Sequence, residues 1–314
     1  MPKLEKIVVV TKQTALEELV ERFNTRTQAR FYIEHLGASF AEYEAAHEEY
    51  QRALSLLKSS LPGGSRNQFI ERSMLSTFTF GETDLVVTLG PDGLVVNTAK
   101  YLASQPLLAL NPDRSRVDGI LVPYGVEQAA KILPKTLQGQ FAVKKISMAK
   151  AELNDGQVLY AVNDLFIGQR THVSARYALR YQRQEENQSS SGIIVSTGAG
   201  STGWLRSVIT GAVGVVIEAA GIKKMEPDEK SYRSDWEADS LTFSVREPFI
   251  SKISSANLIF GHISARESLQ ITSQMPQNGV IFSDGIEADY LQFNSGAIAR
   301  IGLAEKKLHL VVNA

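Results

Sequence analysis

The sequence predicts an open, mostly parallel α/β domain followed by a β-rich domain with the rhythm of an antiparallel sandwich. Three observations predict it. Strand-like and helix-like runs alternate over roughly the first 125 residues. From near Phe141 the chain turns into short alternating runs, broken by turn residues about every ten positions. At 314 residues, with 43% hydrophobic and 21% charged, it is long enough for two cores of ordinary size.

The elements follow in order. "KIVVVTK" (Lys6–Lys12) reads as a buried strand, and Leu16, Leu19, Val20 and Phe23 then recur at helical spacing. A longer Ala-, Glu- and Leu-rich helix spans Phe40 to Leu61, stopped by Pro62-Gly63-Gly64. "QFIERSML", "DLVVTL" and "PLLALN" read as strands, and "GVEQAAKILPKTL" as a further helix. "FAVKKISMA", "VLYAVNDLFIG", "GIIVST", "SLTFSVRE", "NLIFGHI", "SLQITS", "GVIFSDG" and "ADYLQFN" supply the later strands. "YQRQEENQSSS" (Tyr181–Ser191) and the charged stretch Lys223–Asp239 read as flexible, solvated loops. The expected divisions are an α/β domain at 1–125, a sandwich domain at 126–290, and C-terminal strands at 291–314 that can return to the first domain.

A net charge of −1 and a pI near 6.6 give no electrostatic case for nucleic acid or an anionic membrane. The absence of Cys excludes disulfides, thiolate ligands and a Cys nucleophile. No run matches the roughly 18 apolar residues of a spanning helix, and the N-terminus lacks a signal-peptide core. The longest apolar candidate, Gly211 to Gly221, contains Glu218. The expectation is a cytoplasmic enzyme or binding protein.

Three segments carry chemistry. In "DLVVTLGPDGLVVNTAKYLASQPLLALN", Gly90-Pro91-Asp92-Gly93 sits between two apolar runs, as in a hairpin, and Val95 and Val96 favour strand. Twelve residues separate Gly93 from Pro106, enough for a crossover helix into a parallel strand. Gly90 and Gly93 would then sit at a helix entrance, where free N–H groups attract phosphate, and Asp92 would hold a metal ion or accept a proton from an attacking hydroxyl.

The second segment, "GIIVSTGAGSTGW" (Gly192–Trp204), allows four readings. Gly198-x-Gly200-x-x-Gly203 matches a dinucleotide fingerprint, with Glu218 about twenty residues on. Ser201 sits where a nucleophile elbow would, but with Ala199 in place of its first Gly. The remaining readings are a nucleotide-binding loop rich in hydroxyls and N–H groups, and a solvated turn. Third, Asn163-Asp164 interrupts an apolar strand pattern, as an Asx turn or as an amide and a carboxylate fixing a purine or ribose.

Together these segments resemble the NAD kinase family. That family carries a Gly-Gly-Asp-Gly loop, an Asn-Glu/Asp pair and a Ser/Thr/Gly loop closed by an aromatic residue. Here they stand in family order as "GPDG" (Gly90–Gly93), "AVNDLFIG" (Ala161–Gly168) and "STGAGSTGW" (Ser196–Trp204). "LALNPDRSRVDGILVP", "SSGIIVSTGAGSTGW", "SVREPF" and "SDGIEADYLQFNSGAIA" look closest to the mitochondrial type, over most of the chain.

The resemblance implies a Rossmann-like α/β domain, a C-terminal β-sandwich domain, and a site in the cleft between them. It implies phosphorylation of NAD at the adenosine ribose 2′-hydroxyl, with ATP or polyphosphate as donor, Mg²⁺ or another divalent metal, and a homodimer or tetramer. Asp92 would be the catalytic carboxylate, with Gly90, Pro91 and Gly93 forming the phosphate loop. Asn163, Asp164, Ser196, Thr197, Gly198, Ala199, Gly200, Ser201 and Thr202 would bind NAD.

The chain departs from the family pattern at Pro91, where a second Gly is usual, and at Leu94, where Thr is usual. Gly198-Ala199 also trims a hydroxyl. Pro carries no N–H, so the cradle loses a donor. Loss of one transition-state donor costs roughly 10²–10³ in rate. Three readings follow: an NAD kinase, full or weak in turnover; a degenerate NAD(P)-binding protein; or a kinase of another hydroxyl, such as a sugar or lipid.

Overall fold

The computed structural model describes residues 4–117 and 119–313. The chain forms two compact units, one of residues up to Lys144 with those from His309 onwards, the other running Lys145–Leu308.

In the first unit the elements are β1 (Lys6–Thr11), α1 (Ala15–Phe23), α2 (Arg26–His35), α3 (Phe40–Ser59), β2 (Arg66–Glu71), β3 (Asp84–Leu89), α4 (Asp92–Ala99), β4 (Pro106–Asn111), β5 (Tyr124–Gly125) and α5 (Ala129–Leu137). Its strands run parallel in the order β2, β1, β3, β4, with β5 also on β4. β3 and β4 are buried along their whole length, as a parallel sheet covered on both faces requires. Thr14 and Glu17 start α1 with a capping box, and Thr25 caps α2, a helix the hydrophobic spacing did not announce. Only the first half of "QFIERSML" is strand; Arg72–Thr77 is 3₁₀.

The hairpin alternative around Pro91 is excluded. Gly90-Pro91 leads into α4 and then into β4, which lies parallel to β3. Leu94 through Ala99 are all buried, so burial on every side overrides the strand preference of Val95 and Val96.

The second unit contains most of β6 (Ala142–Leu153), β7 (Val158–Ala161), β8 (Asp164–Gln169), β9 (Ala175–Tyr181), β10 (Gln184–Ser190), β11 (Ile193–Ser196), α6 (Trp204–Ala220), β12 (Ser240–Val245), β13 (Phe260–Ser264), β14 (Leu269–Ser273), β15 (Gly279–Ser283), β16 (Ile286–Gln292) and most of β17 (Ile298–Val312). One of its sheets runs β10-β9-β14-β17, with β6 paired to β17 and to β7; the other runs β13-β12-β11-β8-β15-β16. Their inward residues, among them Leu165, Ile167, Tyr177, Phe243, Ile271 and Ile301, close one core, which makes the unit a sandwich. The fold class is therefore the expected one.

Three expectations need correction. "YQRQEENQSSS" is no loop: β10 pairs antiparallel with β9, and its polar residues face outward while Gln188 and Ser190 hydrogen-bond the buried Tyr177 hydroxyl. The first unit extends past 125 to Lys144, because Ala129, Ile132 and Leu133 of α5 share a core with β1, β3 and β4; the second reaches Leu308 rather than 290. The apolar run Gly211–Gly221 is the end of a longer helical stretch, Gly200–Ala220, only 6% buried and by length and composition able to cross a membrane. Gly211 and Gly214 are carried inside α6 without breaking it, and Gly221 caps its end.

Candidate functional site

In the first unit, β1 has β2 on one side and β3 on the other. The sheet thus reverses its direction of growth between β1 and β3, and ligands of open α/β sheets bind beyond the carboxyl ends of the strands at such a point. A cavity of about 600 Å³ lies there, lined by Lys12 after β1, Pro91 after β3, Asp113 and Arg116 after β4, and Tyr43 and His47 of α3. The Tyr50 hydroxyl fixes its floor by accepting from the Lys12 N–H (3.2 Å) and donating to the Leu89 carbonyl (3.2 Å). Burial pushes this phenol above its usual pKa. His47 Nδ1 sits 2.9 Å from the Thr14 hydroxyl. Hydrogen bonds from Ser115 hold the Asp113 carboxyl below its usual range, with Arg116 Nε 3.7 Å away.

The predicted phosphate loop is only partly available. The Gly90 N–H donates to the Leu110 carbonyl (3.1 Å), and Pro91 has none. That leaves the N–H groups of Asp92 and Gly93 at the start of α4, with open space beside Gly93. The Asp92 carboxylate accepts from the Ile120 N–H at Oδ2 and from the Leu121 N–H at Oδ1, both at 2.9 Å. In this conformation it ties the helix start to the turn after β4.

In the second unit the structure brings Asn163-Asp164 and the loop from Ser196 together. The Thr197 N–H donates to the Asn163 carbonyl (2.9 Å) and its hydroxyl to the Val162 carbonyl (2.5 Å). Close approach explains two glycines of the loop. A Cβ on Gly200 would fall 2.2 Å from the Asn163 carbonyl oxygen, and one on Gly198 would fall 2.0 Å from that of Asp235. The hydroxyls are turned inward: Ser196 donates to the Thr197 carbonyl, Ser201 to that of Gly198, and Thr202 weakly to that of Ala199. Among the described residues, the Gly198 and Ala199 N–H groups and the Asn163 side-chain amide have no partner. The loop therefore offers backbone donors rather than hydroxyls.

Asp164 is 8% exposed, and its Oδ1 has no hydrogen-bond partner. Burial pushes its carboxyl up to about 7; the Ser196 hydroxyl opposes the shift and the Asp284 charge adds to it. The sequence reading gave Asp284 no role, seeing it only within the strand runs "GVIFSDG" and "SDGIEADYLQFNSGAIA", and it missed most residues around the first-unit cavity. Lys12, Tyr43, His47 and Arg116 are scattered over a hundred positions, with no local pattern to mark them. Among the described residues no group of three or more His, Asp and Glu forms a metal cage.

No protein-family model matches the chain. It is 32% identical over 161 residues to an NAD kinase of Cellvibrio japonicus, covering 48% of this chain and 52% of that one. It is 31% identical over 133 residues to an NAD kinase of Paraburkholderia phymatum, covering 40% and 43%. The chain thus matches about half the length of these curated relatives. Among solved structures, yeast NADH kinase complexed with NADH superposes with a TM-score of 0.61 at 16% identity, over 100% of this chain and 85% of that one. An NAD kinase from Archaeoglobus fulgidus in complex with ATP gives 0.56 at 16%, over 98% and 94%. The chain has the fold of these kinases, and the sequence matches support the NAD kinase family.

Proposed function

We propose that this protein is an NAD kinase that transfers the terminal phosphoryl group of ATP to the 2′-hydroxyl of the adenosine ribose of NAD, giving NADP and ADP. The observation that carries the reading is the acid at the start of α4, beside the cavity at the β1/β3 switch point and ahead of two helix N–H groups. The cavity is large enough for a nucleoside triphosphate, and Lys12 and Arg116 supply charged donors beside a loop that lacks an N–H at Pro91. Asn163, Asp164 and the N–H groups of Gly198 and Ala199 bind the acceptor.

In the transfer, the ribose oxygen forms a bond to the terminal phosphorus as the bond to the bridging oxygen of ADP breaks. Asp92, released from the Ile120 and Leu121 amides, takes the hydroxyl proton. Mg²⁺ needs only one or two protein carboxylates beside phosphate oxygens, so the cavity residues Asp113 and Glu42 fit it. When bound it neutralises charge on the phosphates. Polyphosphate as an alternative donor, the mitochondrial-type subgroup, a homodimer or tetramer and a cytoplasmic location belong to the same reading.

A second reading, an NAD(P)-binding protein without turnover, is favoured by Pro91 and by the engagement of both Asp92 oxygens. Incubation with NAD, Mg²⁺ and either ATP or polyphosphate, with NADP read by a coupled dehydrogenase, separates the two. We expect NADP from the wild type, none from Asp92→Asn, and equal NAD affinity in both. Dinucleotide binding without NADP from any donor would leave the binding reading; no binding of NAD or NADP would remove both.

A further inference from the structure

We infer that Asp284 is a positioning residue for the acceptor nucleotide, its carboxylate holding the Asn163-Asp164 turn in the shape that presents both side chains to the ligand. The inference rests on the acceptor-site reading above.

Asp284 and Gly285 stand at the tip between β15 and β16, with φ of 55° and 71°. Asp-Gly in this conformation is an ordinary two-residue hairpin turn, and such a turn does not need the Asp carboxylate. Here the carboxylate does something else. It accepts three successive backbone N–H groups, from Val162 at Oδ2 (3.2 Å) and from Asn163 (2.7 Å) and Asp164 (3.3 Å) at Oδ1. The Asp284 N–H returns a bond to the Asp164 carbonyl (2.9 Å). Successive amides converging on one anion make a nest, and the anion that fills this one comes from the chain itself.

Two of these residues, Val162 and Asn163, are held on their carbonyl side by Thr197 of the nucleotide loop. Val162–Asp164 is therefore gripped from both sides, by the hairpin tip through its three amides and the Asp164 carbonyl, and by the loop through the carbonyls of Val162 and Asn163. Gly200 leaves no room for this segment to drift toward the loop, because a Cβ there would already lie within 2.7 Å of Asp164 Oδ1. Removing the carboxylate frees three amides at once, and the Asp164 side chain loses its fixed origin.

A series at one position separates this role from simple turn formation. Asp284→Gly keeps the turn, since Gly adopts positive φ freely, but deletes the carboxylate. Asp284→Asn keeps the turn and one acceptor oxygen, but removes the charge. NAD affinity by titration calorimetry, KM and kcat for NAD, and the pH dependence of that affinity are measured for each. We expect Asp284→Gly to weaken NAD binding and raise KM by about tenfold or more, with a smaller change in kcat, and Asp284→Asn to fall between it and the wild type. In both variants the pH midpoint of NAD binding moves to lower pH, because the neighbouring charge that raises Asp164 is gone.

Asp284→Gly that binds NAD as the wild type does, with an unmoved midpoint, would overturn the assignment. So would a loss of binding matched by an equal loss of thermal stability with the midpoint unchanged, which is general damage. A wild type that binds neither NAD nor NADP removes the acceptor site and this role together. A wild type that binds, beside an equally binding glycine variant, removes this role alone.

Discussion

Replacing Asp164 with Asn should flatten the pH dependence of stability in the second unit. The carboxyl is held at about 7 by burial, against 3.8 in an exposed peptide. Below pH 4 it is protonated both folded and unfolded, and burial carries no ionic penalty. Between pH 4 and 7 the unfolded chain releases the proton while the folded chain keeps it, so stability falls as pH rises and levels off above 7. A gap of about three pK units at about 1.4 kcal/mol each puts the total loss near 4 kcal/mol. Asn has no proton to lose. Relative to wild type, Asp164→Asn should gain up to about 4 kcal/mol between pH 4 and pH 8, because titrations not coupled to Asp164 cancel in the difference. Urea unfolding followed by tryptophan fluorescence reads this directly, as both tryptophans, Trp204 and Trp236, lie in the same unit as Asp164. Parallel pH profiles for the two proteins would refute the assignment of a buried, protonated Asp164.

Two further outcomes are expected. Gly200→Ala places a Cβ 2.2 Å from the Asn163 carbonyl oxygen, so it should cost about 1–3 kcal/mol in unfolding experiments and weaken NAD binding in calorimetry. Pro91→Gly restores an N–H ahead of α4 and should raise NADP formation, by up to about 10²-fold in the coupled assay; a fall would mean that the loop is adapted to proline.

The fold was legible where local signals agree with burial. The run Lys6–Thr11, the helical spacing from Ala15 and the even beat of the later strands all mark their elements. α4 was ambiguous because Val95 and Val96 prefer strand, and only the crossover distance to Pro106 pointed to a helix. β10 was opaque because its sequence is almost wholly polar: Gln188 and Ser190 lie inside for the sake of one tyrosine hydroxyl, a reason no periodicity displays. At the site, the sequence names Asn163, Asp164 and the glycine loop as a group. It does not tell that the loop's hydroxyls face inward, which depends on carbonyls of Val162 and Gly198 that only the folded chain brings near. Asp284 was hidden by its own conventional role in a turn.

β17 carries a consequence for biogenesis. Its early residues pair with β14, while His309 and Leu310 lie beside Pro106 and Leu107 of β4 in the first unit. Until position 310 has been synthesised, the Pro106–Leu107 end of that flank stays uncovered, β5 reaching only Leu110 and Asn111, and it leaves open amides and carbonyls of the kind that recruit other chains. At the usual translation speed of about 5–20 residues per second, the roughly 200 intervening residues leave it bare for about 10–40 s. Nascent protein should therefore lean on chaperones during elongation, and deleting the segment from His309 to Val312 should harm solubility more than the lost surface would suggest.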